Sequence, residues 1–343
     1  MSRYIRIKKV RSEIESLLKS KGLKVIEVLC DSEGKVLVKY GPQAGYETGH
    51  HYFLAEVTDG VTRQVIKIKL DNLLVDTNDI FRSIMEKDFG TEQKFYQSTS
   101  GLFEFIPKYI SHGKHGELRW LTYKYAEGSV LGASHLTEAG TVLHRLAGLT
   151  PAIRELSTHH VAKGMELRRH DAKFYHAQLH AILKVQGDPI GKYLSTEITD
   201  SIKRLNKKIS HQMDAYCRYL THGDLHPANI IIDGDDTTLI DWENVHWDNH
   251  AYDLVSIWLR LWNFPQRDLL IHESRHDLAS KESRQIFHYV VLHKILDEIA
   301  FWHGVKTSND KSSIYTNYAD RALKVHVHTV EAALNNSLLD SVS

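Results

Sequence analysis

Only two cysteines, Cys30 and Cys217, occur in 343 residues. They stand far apart in apolar settings, which excludes a disulfide framework and points to a reducing compartment. An excess of charge of either sign is also missing. Forty-three lysines and arginines balance forty-three aspartates and glutamates, so net charge gives no argument for nucleic acid or an anionic membrane as a partner. No apolar run reaches the length that spans a bilayer. The opening segment, Met1 to Lys9, is basic but lacks the apolar core and cleavage site of a secretory signal. The expected location is the cytoplasm. Internal repeats and low-complexity tracts are absent, and the length gives ample buried core for two domains or two lobes around one cleft. Histidine is plentiful: twenty-three of them make the real charge sensitive to mild acid.

The densest chemistry lies in Leu220-Thr221-His222-Gly223-Asp224-Leu225-His226-Pro227-Ala228-Asn229-Ile230, followed by Leu239-Ile240-Asp241-Trp242-Glu243. A short apolar lead-in delivers Asp224 at the mouth of a turn, and Asn229 follows five residues later. Ile230 to Ile232 reads as a buried strand, Asp233-Gly234-Asp235 as a hairpin turn, and Thr237 to Ile240 as the returning strand. Such a hairpin brings Asp241 back beside Asn229. One carboxylate to accept a proton, plus an amide and a second carboxylate to hold a hard cation, is what phosphoryl transfer from a magnesium nucleotide requires.

Upstream, residues 3 to 21 carry apolar side chains at Ile7, Val10, Ile14, Leu17 and Leu18, the spacing of an amphipathic helix with Lys and Arg on its other face. Such a basic helix can lie on a membrane, but packing on the body of the fold is the favoured reading. Four β-like runs follow: Lys24 to Cys30, Lys35 to Tyr40, His51 to Thr58, and Thr62 to Leu70. They read as an antiparallel meander. The connection in its middle spaces Gly41, Gly45 and Gly49 four residues apart. Glycines let backbone amides approach a triphosphate closely, so the functional reading is a nucleotide-covering loop, with an ordinary long hairpin as the alternative. Lys67 then sits inside an apolar strand, and a buried ammonium requires a partner. Lys69 shares its face. The candidate partner lies on the next helix, within Ile84 to Tyr96, where Glu92 is placed to reach the lysine and Glu86 and Asp88 stay open.

Phe103 to Tyr109 and Arg119 to Tyr125 read as two more strands, and helical periodicity begins at Thr137. Residues 163 to 216 carry further helices, with His176 and His180 one turn apart. No acid completes a zinc pattern there, and the pair reads as chance. Two amphipathic helices, Ser283 to Gly304 and Ile314 to Leu339, close the chain. Trp242, Trp247, Trp258, Trp262 and Trp302, with Glu243, Asp297 and Glu298 nearby in sequence, could form an aromatic and acidic wall for a cationic substrate. Core packing is the plainer reading of each tryptophan.

The spacing His222-x-Asp224-x-x-x-x-Asn229 is that of the protein-kinase catalytic loop, and Asp241 falls where that fold places its magnesium-binding Asp. The wording His-Gly-Asp-Leu-His-Pro-Ala-Asn, then Ile-Asp-Trp-Glu and Ala251-Tyr252-Asp253-Leu254, more specifically resembles the aminoglycoside phosphotransferase and choline kinase superfamily. No Gly follows Asp241-Trp242 and no Ala-Pro-Glu element appears downstream, which favours the small-molecule branch over protein kinases. The resemblance implies an α+β, bilobal protein-kinase-like fold with a small antiparallel-sheet lobe at 1–125 and a larger, mainly helical lobe at 126–343. No Pro-, Gly- or Ser-rich linker separates them. It places a hinge near 124–128, Tyr125 included, whose backbone recognises adenine.

The roles it implies are specific. Asp224 orients the acceptor hydroxyl and takes its proton, His222 braces the catalytic loop, and Asn229 and Asp241 hold Mg2+ against the phosphates of ATP. Lys67, fixed by Glu92, grips the α- and β-phosphates beneath the Gly45 and Gly49 loop. Asp253 accepts hydrogen bonds from the catalytic-loop backbone, where the bland reading is a first-turn acid favoured by the helix dipole. The implied partner is a small molecule bearing a hydroxyl, and the oligomeric state is left open. Two rival readings remain. His222, Asp224 and His226 alternate on one extended segment and could ligate a transition metal in a hydrolase, or the chain could be a nucleotide-binding pseudokinase.

Overall fold

The computed structural model describes residues 3–30, 52–69, 89–131, 139–159, 164–184, 190–264, 266–307, 313–335 and 338. The chain divides into two units, Met1–Ala133 with Ala228–Asn244, and Ser134–Pro227 with Val245–Ser343. The first opens with helix α1 (Arg3–Ser20) and strands β1 (Lys24–Cys30), β2 (Tyr52–Thr58) and β3 (Arg63–Lys69). Helix α2 (Phe89–Thr99) precedes β4 (Tyr109–His115), β5 (Leu118–Lys124) and the short β6 (Ser129–Val130). Strands β1 to β5 form one antiparallel sheet in the order β1-β2-β3-β5-β4.

Strand alternation decides which face each side chain meets. Phe53, Ala55 and Val57 on β2 and Ile66 and Ile68 on β3 share a buried cluster with Leu118 and Trp120 of β5 and with Ile14, Leu17 and Leu18 of α1. Burying each such aliphatic side chain contributes about 1.5–3 kcal/mol. Lys67, between the two isoleucines, therefore turns to the opposite face. It sits mid-sheet, paired in register with Leu54 and Leu121. The turn before β3 is held by Asp59, whose Oδ1 accepts the N–H of Val61 at 2.9 Å and of Thr62 at 2.8 Å.

The structure differs from the sequence reading at Phe103 to Tyr109, which is turn and irregular chain; the strand begins at Tyr109. Pro107 has no N–H to give a ladder. The alternating aromatics serve another purpose: the Phe105 carbonyl accepts the Leu239 N–H at 2.8 Å, and its ring lies 6.4 Å from that of Trp242. The expected strand Lys35 to Tyr40, the loop with Gly45 and Gly49, and the rival acids Glu86 and Asp88 lie outside the described residues.

The second unit continues with α3 (Ala139–Leu156), α4 (Ala172–Ile182), α5 (Thr196–Ile209), α6 (Met213–Tyr216) and β7 (Tyr219–Thr221). Strands β8 (Ile230–Asp233) and β9 (Asp236–Leu239) belong to the first unit, where they form a three-stranded sheet in the order β6-β8-β9. Gly234, at φ +54°, closes their two-residue turn between Asp233 and Asp236. Gly128, just before β6, has φ +103°, and a Cβ there would stand 2.2 Å from the Ile232 carbonyl oxygen. Only glycine fits that approach.

The second unit ends with β10 (His246–Asp248), α7 (Tyr252–Arg260), α8 (Asp268–Glu273), α9 (Lys281–Thr307) and α10 (Ser313–Leu334). Three of its tryptophans are core: Trp258, Trp262 and Trp302 are buried, and Trp262 and Trp302 both pack on Tyr318, at 4.7 and 5.3 Å between ring centroids, whereas Trp247 is half-buried. The acids beside them are already engaged, Glu298 with Arg260 at 2.8 Å and Asp297 with the Gln178 amide at 2.9 Å. In the first unit, Trp242 is fully buried and stacks on Phe95 at 4.4 Å. Large apolar rings have filled cores in place of an exposed wall. Among the described residues no helix is long and apolar enough to cross a membrane.

Candidate active site

In the first unit, β3 carries Lys67 into a buried cluster of acids. The Lys67 Nζ lies 2.8 Å from Glu92 Oε2 of α2 and 2.6 Å from Asp241 Oδ1, and it also contacts Glu243 Oε1. Lys67, Glu92 and Glu243 are buried, whereas a quarter of the Asp241 side chain is exposed. Below them, the Tyr52 ring lies 4.5 Å from the ammonium, and the Tyr52 hydroxyl donates to Glu243 Oε2 at 2.8 Å. Asp241 itself adopts φ +66°, a left-handed conformation that Asp tolerates better than most side chains.

Among the described residues, three carboxylates surround one ammonium. Burial opposes the Lys67 charge, but Asp241, Glu243 and Glu92 together hold its pKa well above the usual lysine range. Burial, reinforced by Glu243 and Asp241, pushes the Glu92 carboxyl up to about 8 against the pull of Lys67. The second Glu92 oxygen, Oε1, is buried with no hydrogen-bond partner among the described residues. Asn229 is buried on the neighbouring hairpin, and its carbonyl accepts the Ile240 N–H at 3.0 Å, one residue before Asp241.

At the expected hinge, the Tyr125 N–H is already used, donating to the Arg63 carbonyl at 3.1 Å, and the Tyr125 ring lies 4.2 Å from the Arg63 guanidinium.

In the second unit, β7 leads into the segment His222 to Pro227. Asp253, in the first turn of α7, accepts the His222 N–H at 2.7 Å through Oδ2 and the Gly223 N–H at 3.1 Å through Oδ1. Burial raises the Asp253 pKa, with His222 and these two donors pulling against it. Gly223 takes φ +84°, which turns the chain so that the Asp224 N–H meets His222 Nδ1 at 3.3 Å. The Asp224 carboxylate stands 3.8 Å from His226 Nε2. His222, Asp224 and His226 are not among the groups that bring three ligand-type atoms together in the described residues.

Two groups do so: Glu92, Asp241 and Glu243 in the first unit, and His170, His246 and Asp248 in the second. The latter is saturated. Asp248 Oδ2 accepts from His170 Nδ1 at 2.8 Å and His246 Nε2 at 3.2 Å, while Oδ1 accepts from the Tyr175 hydroxyl at 2.9 Å and the Asn249 N–H at 2.7 Å. Despite burial, the two histidine donors keep the Asp248 pKa below the carboxylate range, and burial pushes His170 down to about 3. The two imidazoles lie 3.5 Å apart between ring centroids, tilted at 31°, and the network ties β10 to the His170 segment and to Tyr175 of α4.

A model of the phosphotransferase enzyme family matches residues 92–286. The chain belongs to that family. The matched span holds Glu92, the His222 to Asn229 segment, Asp241 and Asp253, and begins after Lys67. Among solved structures, the chain is similar to a thermostable mutant of aminoglycoside phosphotransferase APH(4)-Ia in ternary complex with AMP-PNP and hygromycin B. The identity is 14% and the TM-score 0.58, covering 94% of this chain and 97% of that one. It is similar to choline kinase LicA from Streptococcus pneumoniae at 17% identity and TM-score 0.53, covering 93% and 99% respectively. Amicoumacin kinase hAmiN, in complex with AMP-PNP, Ca2+ and Ami, gives 12% identity and TM-score 0.52, covering 94% and 96%. At such identities the likeness shows the fold, an α+β protein-kinase-like fold in two units. No curated protein sequence matches the chain.

For this phosphotransferase-family chain, the structure gathers Lys67, Glu92 and Asp241 in one cluster, and His222, Gly223 and Asp253 in another. Among the described residues, the three ion pairs that join Glu92, Asp241 and Glu243 run to Lys67 and not to Lys69. Sequence reasoning missed two members of the first cluster. Glu243 was readable only as an acid near a tryptophan, although its place two residues after Asp241 was a signal. Tyr52, at the start of β2, carried none.

Proposed function

We propose that the chain transfers the γ-phosphoryl group of ATP to a hydroxyl of a small molecule. The observation that carries this reading is the buried Lys67 ammonium held by Glu92 and Asp241 on the unit that also bears Asn229. In the proposal Lys67 grips the α- and β-phosphates, Glu92 fixes the lysine, and the segment near 124–128 recognises the base through its backbone. Asp224 orients the acceptor hydroxyl and takes its proton, and Asp253 and His222 keep the loop that presents Asp224 in shape.

The acid cluster fits a magnesium ion. Its donors are hard oxygens whose ligand atoms lie within 4.8 Å of one another, a lysine ammonium stands among them, and the buried Glu92 Oε1 lacks a donor among the described residues. Asp241 and Asn229, joined by Glu243, are the side chains that would hold it. Bound there, Mg2+ supplies charge neutralisation for the phosphates.

The test is nucleotide consumption by purified protein with Mg-ATP against a panel of hydroxylated acceptors, run beside Asp224→Ala. Turnover with one acceptor class, lost in the variant, supports the proposal; ATP-independent hydrolysis of those compounds would overturn it.

A further inference from the structure

Tyr52 opens β2 and turns to the same side of the sheet as Lys67, since its neighbours Phe53, Ala55 and Val57 belong to the core on the other face. Its side chain is buried and, among the described residues, makes contacts of three kinds. The ring face receives the Lys67 ammonium at 4.5 Å, the ring stacks on Phe89 at 5.8 Å, and the hydroxyl donates to Glu243 Oε2 at 2.8 Å. The other Glu243 oxygen contacts the same ammonium. Lysine, carboxylate and phenol thus form a closed ring of contacts in which Tyr52 touches both charged groups.

The phenol is a dependable donor. Its hydroxyl is held by the Glu243 carboxylate at 2.8 Å while the ring is fixed by Phe89 at 5.8 Å. By engaging Oε2, it fixes the Glu243 rotamer and leaves Oε1 directed at a cation, which in this structure is the lysine. The aromatic face meanwhile limits where the ammonium can go.

We infer that Tyr52 is a positioning residue for metal-nucleotide binding, acting through Glu243 and Lys67. The inference rests on the proposed function. The experiment measures Mn2+ affinity, by the free-ion EPR signal, in the presence of a non-hydrolysable ATP analogue, together with adenosine affinity and melting temperature. Tyr52→Phe keeps the ring and removes the donor. The expected result is about tenfold weaker Mn2+ binding with adenosine affinity unchanged. Tyr52→Leu removes the aromatic face as well and is expected to weaken Mn2+ binding further.

Equal Mn2+ affinity in wild type and Tyr52→Phe would overturn the inference alone. So would a parallel loss of Mn2+ and adenosine affinity with a lowered melting temperature, the mark of a purely structural side chain. Wild-type protein that binds neither the Mn2+ analogue complex nor adenosine would remove the proposed function, and the inference with it.

Discussion

The Asp253 carboxylate accepts the backbone N–H of His222 at 2.7 Å, thirty-one residues away in sequence, and the next amide, that of Gly223, at 3.1 Å. One buried acid thus fixes two successive peptide units of the segment that presents Asp224. In Asp253→Asn, the amide nitrogen must face one of these donors. The variant is expected to lose about 2–3 kcal/mol of stability, and under the proposed mechanism kcat falls more than nucleotide affinity. Thermal unfolding and nucleotide titration check this, and unchanged stability would contradict it.

The Lys67 cluster makes a second prediction. Lys67→Met leaves Glu92, Asp241 and Glu243 without their ammonium, which costs about 3–5 kcal/mol for a broken buried pair. Added Mg2+ is expected to raise the melting temperature of this variant more than that of wild type, because a cation bound only by the folded state stabilises it. Equal shifts in the two proteins would speak against the acids as a cation site.

A third concerns backbone geometry. Gly128 and Gly60 both take positive φ, at +103° and +94°, but only at Gly128 would a Cβ meet atoms, 2.2 Å from the Ile232 oxygen. Gly60→Ala carries the left-handed penalty alone, about 1–2 kcal/mol. Gly128→Ala is expected to cost more, which urea unfolding of the two variants compares directly.

A fourth is a pH dependence. His326 is buried with no hydrogen-bond partner at either ring nitrogen among the described residues, and burial, with Arg267 and Arg260 close by, pushes its pKa down to about 3. Between that value and its unfolded value of about 6.5, the unfolded chain binds the extra proton. This group's contribution is therefore fully present above about pH 6.5 and is lost as pH falls, by about 1.4 kcal/mol per pH unit once the unfolded histidine is protonated. His326→Phe removes the titrating group. The stability difference between variant and wild type is expected to move in the variant's favour from pH 7 to pH 5, as measured by chemical denaturation; a constant difference would contradict it.

Much of the fold was legible because its signals are local. Alternation marked β2 and β3, and the two-residue turn at Gly234 marked the β8–β9 hairpin. The spacing of His222, Asp224 and Asn229 pointed to the kinase-like fold that the structure and its relatives share. What was not legible depends on tertiary choice. Phe103 and Phe105 alternate like a strand, yet Pro107 and the Leu239 contact make the segment irregular. Three acids on or before α2 were compatible with Lys67 in sequence, and only packing brings Glu92 to 2.8 Å. Tyr52 and Glu243 meet across 191 residues, a separation at which no periodicity speaks. Trp242, Trp258, Trp262 and Trp302 were the reverse case: a functional pattern was imaginable, but burial of large rings decided for core.

The most direct test of the central claim sets Mg-ATP binding beside phosphoryl transfer in Asp224→Ala and Asp241→Ala. The account predicts that Asp224→Ala binds Mg-ATP like wild type and loses turnover by about 100-fold or more, whereas Asp241→Ala loses magnesium-dependent binding itself. Retained turnover in both variants would contradict it.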